Sequence, residues 1–227
     1  MKELLEESAS YFYTDLIMFL CSLFASVLGF VHRKKHEGLR YMFLYPFASV
    51  LQMLSVYFSF YILNMKSSLV TYISISLFLL IEMICFYFYF SVLIKNNLLL
   101  KGIRIVPVIY LSVLVFKWRE YGFEYILHNP LYFTQSLMIL ALAALYLFFL
   151  FNTKPKPNLL NEPSFWITIG ALLYFLCTVP IYISNKYIFN EEGLIVDTGL
   201  FSINYVCYSL LFLLLTRAYL CKVTAKP

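Results

Sequence analysis

The chain has 227 residues, of which 62% are hydrophobic, 20% aromatic and only 13% charged. Ordinary soluble domains are about 45–50% apolar and about 25% charged, so this composition excludes a soluble globule. The net charge of +5 does not point to nucleic acid, because the basic residues alternate between loops instead of forming one patch.

Seven long apolar stretches are legible, at 11–31, 41–63, 69–94, 103–118, 131–151, 165–183 and 198–215. Most approach the ~20 residues that cross a ~30 Å hydrocarbon core. Inside lipid, backbone polar groups must be satisfied within the segment, so each stretch is predicted to be a helix. The first follows an acidic leader with Glu3, Glu6 and Glu7. A signal peptide opens on basic residues and has a shorter apolar run, so this stretch is expected to be a retained span. His32 and His36 follow at a spacing of four, with Arg33, Lys34 and Lys35 between them. Three adjacent cations repel a metal, and the group reads as a basic membrane anchor. The second stretch holds Pro46 near its start and Gln52 near its middle. The third carries Glu82 near its midpoint and is followed by Lys95, Lys101 and Arg104. The fourth is the shortest and contains Pro107. Beyond it come Glu120, Glu124 and His128, then Gln135 about a turn inside the fifth.

After Lys154 and Lys156, the run Asn161-Glu162-Pro163-Ser164 has a polar cap and then a proline in the first turn, the pattern of a helix start. The sixth stretch holds Tyr174 and Pro180, and the seventh holds Asn204 before Arg217, Lys222 and Lys226. Pro46, Pro107 and Pro180 are the expected kink positions. Glycine is scarce, with seven in the chain, and no GxxxG face is present. Aromatic packing is therefore expected to replace close small-residue contacts.

Twelve of the seventeen Lys and Arg residues fall in every second gap: Arg33, Lys34, Lys35 and Arg40; Lys95, Lys101 and Arg104; Lys154 and Lys156; Arg217, Lys222 and Lys226. Cytoplasmic loops carry the basic excess, so the N-terminus is expected outside and the C-terminus inside. The predicted fold is an all-α integral membrane bundle of seven transmembrane helices, one domain over 1–227, in the inner (plasma) membrane. Its basic face is expected to meet anionic lipid heads.

Glu82 is the sharpest single residue. A charge near the bilayer midplane costs at least ~2.5–3.5 kcal/mol on insertion scales. No Lys, Arg or His is expected at that depth, so Glu82 should hold its proton and donate a hydrogen bond within the bundle. Gln52, Asn204 and Tyr174 fall at similar depth. The four residues form either a ligand-binding or proton-binding pocket or a purely structural interhelical hydrogen bond, or else Glu82 faces lipid. Asp15, Gln135 and Glu124 are shallower. They line either the mouth of an outward-facing cavity or solvated helix ends.

The five cysteines lie in or at the ends of spans and are expected to be free apolar packers. No HExxH, no paired aspartates on an inner loop, no Gly-rich phosphate loop and no Ser–His–Asp set can be assembled. The seventh stretch has no core lysine for a retinal Schiff base. The expectation is a protein without catalysis, metal or cofactor.

Two phrases carry a resemblance. They are Glu162-Pro163-Ser164-Phe165-Trp166-Ile167-Thr168-Ile169-Gly170-Ala171-Leu172-Leu173-Tyr174, and Phe201-Ser202-Ile203-Asn204-Tyr205. They resemble the sixth and seventh helices of the seven-helix sensor modules that precede the kinase core in some bacterial two-component histidine kinases. The resemblance implies a sensory role, a homodimer, and output through the last helix. Such a module hands that helix to a dimerisation helix and kinase, whereas this sequence ends at Pro227. The output is therefore expected to pass through a partner kinase, another cytoplasmic signalling partner, or a kinase fused beyond that point. The competing expectation is a small-solute transporter, because seven spans in this orientation are also similar to SWEET-type proteins. No internal repeat or proline-glutamine pair supports that alternative.

Overall fold

The computed structural model describes residues 2–34, 38–59, 69–94, 105, 107–116, 119, 130–152, 159–183 and 198–221. They form α1 (Lys2–His32), α2 (Leu39–Met42), α3 (Leu44–Tyr57), α4 (Leu69–Leu93), α5 (Pro107–Phe116), α6 (Pro130–Asn152), α7 (Pro163–Ile183) and α8 (Thr198–Leu220). A short 3-10 turn, Leu159–Asn161, precedes α7. No strand occurs among the described residues.

Five helices contain apolar stretches long enough to cross a membrane: Tyr13–His32, Ile73–Leu93, Tyr132–Asn152, Pro163–Ile181 and Ile203–Leu220. The chain is thus an all-helical protein of multi-pass membrane character. The other two predicted spans appear as shorter helices. Residues 41–63 were expected as one helix; over the described part the hydrogen-bond ladder breaks at Phe43, whose own backbone stays right-handed helical. Pro46 has no N–H for the Met42 carbonyl, and its ring clashes there. The Phe43 amide instead closes α2 on the Leu39 carbonyl at 3.2 Å. The helix restarts at Leu44, which puts Pro46 in a first turn where no N–H is required. α5 is described for about 15 Å, at about 1.5 Å per residue, and Pro107 stands in its first turn. Pro180 lies inside α7 near its end. The α7 start matches the sequence pattern: the Glu162 amide bonds the Leu159 carbonyl at 3.0 Å, and the Phe165 amide bonds the Glu162 carbonyl at 3.1 Å.

The helices pack in a closed ring. α1 lies against α3 and α8, α3 against α4, α4 against α6, α6 against α7, and α7 against α8. α5 joins through Tyr110, a buried side chain bonded to α6. The core is largely aromatic. Tyr45 of α3 packs on Phe86 of α4 at 5.2 Å between ring centroids and on Phe212 of α8 at 5.5 Å. Phe86 meets Phe175 of α7 edge-on at 5.4 Å, and Phe212 meets Tyr208 at 4.7 Å. Offset and edge-on pairs of this kind contribute about 0.5–1.5 kcal/mol each beyond burial. Large apolar side chains such as Phe24, Phe30, Leu51, Val115, Phe148 and Leu176 face outward, where acyl chains would solvate them.

Four junctions gather one set of helix ends. Gly29 near the α1 C-terminus receives the Tyr219 ring of α8, and Gly38 before α2 receives the Tyr89 ring of α4. The Arg217 guanidinium lies over the Trp166 ring at 5.8 Å, while the Trp166 indole donates to the Leu160 carbonyl at 2.7 Å. The C-terminal ends of α1, α4 and α8 and the N-terminal end of α7 therefore share one end of the bundle. Arg33, stacked over Phe30 at 4.2 Å, belongs to the same end.

Candidate functional site

α4 is apolar nearly all round, so its position rests on packing rather than on an amphipathic stripe. Its inward face carries Leu79, Glu82, Met83, Phe86, Tyr89 and Phe90, all buried. The spacing of three and four residues keeps these side chains on one side of the helix. Glu82 is only 3% exposed, and the structure places its carboxyl inside the bundle.

The partner of that carboxyl is Gln135 of α6. Gln135 Nε2 donates to Glu82 Oε2 at 2.7 Å and to the Leu79 carbonyl at 3.1 Å. The Tyr110 hydroxyl of α5 donates to Gln135 Oε1 at 2.6 Å. All four hydrogen-bonding positions of this group are buried, in a setting where each satisfied bond counts for more than at a surface. The Tyr45 hydroxyl of α3 stands beside the Glu82 carboxyl and beside the Tyr208 hydroxyl of α8. It closes a well-formed bond to neither, and Tyr45 OH and Glu82 Oε1 are both buried without a partner. Tyr208 in turn donates to Ser49 Oγ of α3 at 3.0 Å.

The sequence-predicted residues fall in different places. Glu82 lies in the group just described. Gln52 is half-buried on α3 and forms no bond to it. Asn204 belongs to a second group, where its Oδ1 accepts from Thr178 Oγ1 at 3.1 Å. The same Thr178 hydroxyl bonds the Tyr174 carbonyl at 2.7 Å. The Tyr174 ring packs on Tyr208 at 5.0 Å. The predicted foursome is thus split among α4 (Glu82), α3 (Gln52) and the α7–α8 pair (Tyr174 and Asn204).

Gln135, expected at the mouth of a cavity, is 1% exposed and is the carboxyl's partner. The sequence reading assigned depth as if all spans were centred at one height. Glu82 lies midway along α4 and Gln135 little more than a turn into α6, so their bond requires the two helices to be staggered or tilted, as membrane helices commonly are. Asp15 is exposed on α1 and shares no mouth with the buried Gln135. Glu124, Glu120, His128 and His36 lie outside the described residues.

Sequence reasoning missed Tyr45, Tyr110, Ser49 and Tyr208. With 20 tyrosines in the chain, no single one stands out. The usable signal was Tyr45, Ser49 and Gln52 at helical spacing, which places three polar groups on one side of an otherwise apolar helix.

A carboxyl, an amide and several phenols can hold a proton or hydrogen-bond a small polar guest. They do not form a nucleophile–base set. Among the described residues no three His, Cys, Asp or Glu side chains come together as metal ligands would. A separate groove on α5, lined by Leu111, Ser112, Val115, Phe116 and Arg119, is open to the surroundings. No family model matches the chain, and neither a curated protein nor a solved structure matches it.

Proposed function

We propose that this chain is a non-catalytic seven-helix membrane sensor or signalling module with its N-terminus outside and its C-terminus in the cytoplasm. It acts through a partner or fused histidine kinase, or another cytoplasmic signalling protein. One observation supports this reading most: the buried carboxyl of Glu82 sits one tyrosine away from α8, the helix that leads out of the bundle. A change at the centre of the ring therefore has a short physical route to the output helix. The wall residues available to a ligand are Phe, Tyr, Leu and Ile, which suit a small lipophilic or aromatic molecule.

The shared helix ends support seven crossings. α4 finishes at the end of the bundle where α7 begins. α6 reaches α7 there too, since Tyr146 lies beside Ser164, so α6 starts at the opposite end. A return crossing between α4 and α6 fits these ends, and α5 lies on that segment. We assign the corresponding return between α1 and α4 to α2 and α3. The basic residues Arg33, Arg40 and Arg217 belong to the end assigned to the cytoplasm.

The test is capture from native membranes. A histidine kinase or other cytoplasmic signalling protein should co-purify with the full chain, and proteoliposomes should show no solute flux. Rapid sugar or other solute flux would favour the SWEET-like transporter reading. Turnover of a substrate by the purified chain would refute both.

A further inference from the structure

The hydrogen bonds around Glu82 specify where its proton must sit. The Leu79 carbonyl can only accept, so the Gln135 atom facing it, at 3.1 Å, must be the amide nitrogen. The same nitrogen faces Glu82 Oε2 at 2.7 Å, and an N–H can only donate. Oε2 is therefore the accepting oxygen, and any proton on the carboxyl is carried by Oε1. That oxygen is buried and unpartnered, with the carboxyl lying beside the equally unpartnered hydroxyl of Tyr45.

Tyr45 has one proton and two neighbours that can accept it: the Glu82 carboxyl and the Tyr208 hydroxyl. With the Tyr208 hydroxyl donating to Ser49 at 3.0 Å, its oxygen is left to accept from Tyr45. We infer that Glu82 Oε1 is a proton-binding atom whose occupancy sets the direction of the Tyr45 hydroxyl, toward Tyr208 of α8 when the proton is bound and toward Glu82 of α4 when it is lost. With the proton bound, Glu82 Oε1–H donates to Tyr45, Tyr45 to Tyr208 and Tyr208 to Ser49, so each of these three protons has an acceptor. When a base in the aqueous phase removes the proton, Oε1 becomes an acceptor. Tyr45 then turns its own proton to it and the Tyr45–Tyr208 contact opens, while the Tyr208–Ser49 bond at 3.0 Å stays closed. The proton thus decides which neighbour accepts from Tyr45.

The other groups around the carboxyl are Gln135 of α6, Tyr110 of α5 and Cys85 of α4 itself. Tyr174 of α7 lies near Tyr45. Among the described residues no Lys, Arg or His acts on the carboxyl. The inference does not depend on the sensor reading.

Infrared spectra of the full chain in lipid nanodiscs test it. The parent should show a protonated-carboxyl C=O band that Glu82→Gln removes. Tyr45→Phe, which keeps the ring and deletes only the hydroxyl, should shift that band. Tyr219→Phe, which deletes an unpartnered hydroxyl elsewhere, should leave it in place. As rising pH bleaches the band, the phenolic C–O stretch isolated by the parent-minus-Tyr45→Phe difference should move, and in Glu82→Gln it should stay still. Three results would each overturn the assignment: no band that Glu82→Gln removes, a band unmoved by Tyr45→Phe, or a Tyr45 C–O stretch indifferent to pH in the parent. Solute flux or kinase capture would bear on the proposed function and leave this assignment untouched.

Discussion

Tyr110 and Tyr219 are both buried, but their hydroxyls differ in what they bond. Tyr110 donates to Gln135 at 2.6 Å, whereas Tyr219 has no partner. Tyr110→Phe strands Gln135 Oε1 and should cost about 1–3 kcal/mol. Tyr219→Phe removes an unpaired polar atom and should leave stability unchanged or raised. Dodecyl sulfate titration of the two variants in mixed micelles measures both, and equal losses would contradict the bonding pattern. Glu82→Gln should fold normally, because the amide can accept from Gln135 through oxygen and donate through nitrogen. Glu82→Leu should lose about 1–3 kcal/mol in the same titration, since it removes the acceptor for Gln135 Nε2. Gly29 presents a different kind of constraint. A Cβ there would lie 2.9 Å from Tyr219 Cζ, and that ring is fully buried. Gly29→Ala should therefore cost about 1–3 kcal/mol by overpacking, and the double variant with Tyr219→Leu should recover much of it. No recovery would mean that the contact is not the cause.

Between elements, α7 and α8 can be tested by their thiols. Cys177 and Cys207 are neighbours across that contact, and both are free. Copper phenanthroline should join them in a single chain, mapped by peptide mass without reductant, and Cys177→Ser should abolish the product. Failure to crosslink would place the two helices in a different register.

The sequence was informative at this scale wherever one physical term dominated. The α7 start was legible because a polar cap followed by proline has few other uses. The inward facing of Glu82 was legible because a carboxyl is costly against acyl chains. The break at Phe43 was only half legible. Proline advertises a disturbance, but the disturbance falls a turn earlier, at the carbonyl it cannot serve. Gln135 was misplaced because a single sequence carries no record of how far one helix slides past the next. The link through Tyr45 was hidden because an aromatic core makes a functional tyrosine look like every other.

At the scale of the whole molecule, the proposed orientation predicts that a reporter fused after Pro227 is active only on the cytoplasmic side. An active fusion on the outer side would undo the charge argument. The proposed homodimer, expected from the prevalence of two-fold assemblies, predicts a crosslinked pair in native membranes, and monomer alone at every density would count against it. The ring order has a consequence for synthesis. α1 is made first, yet one of its two main neighbours is α8, made last. While the ribosome is still translating, α1 is held on one side only, and the socket around Gly29 stays empty until Tyr219 emerges. Membrane integration can proceed helix by helix, but closure must wait for the final segment. A chain that terminates before α8 should therefore insert and then persist as an open arc, a substrate for membrane quality-control proteases.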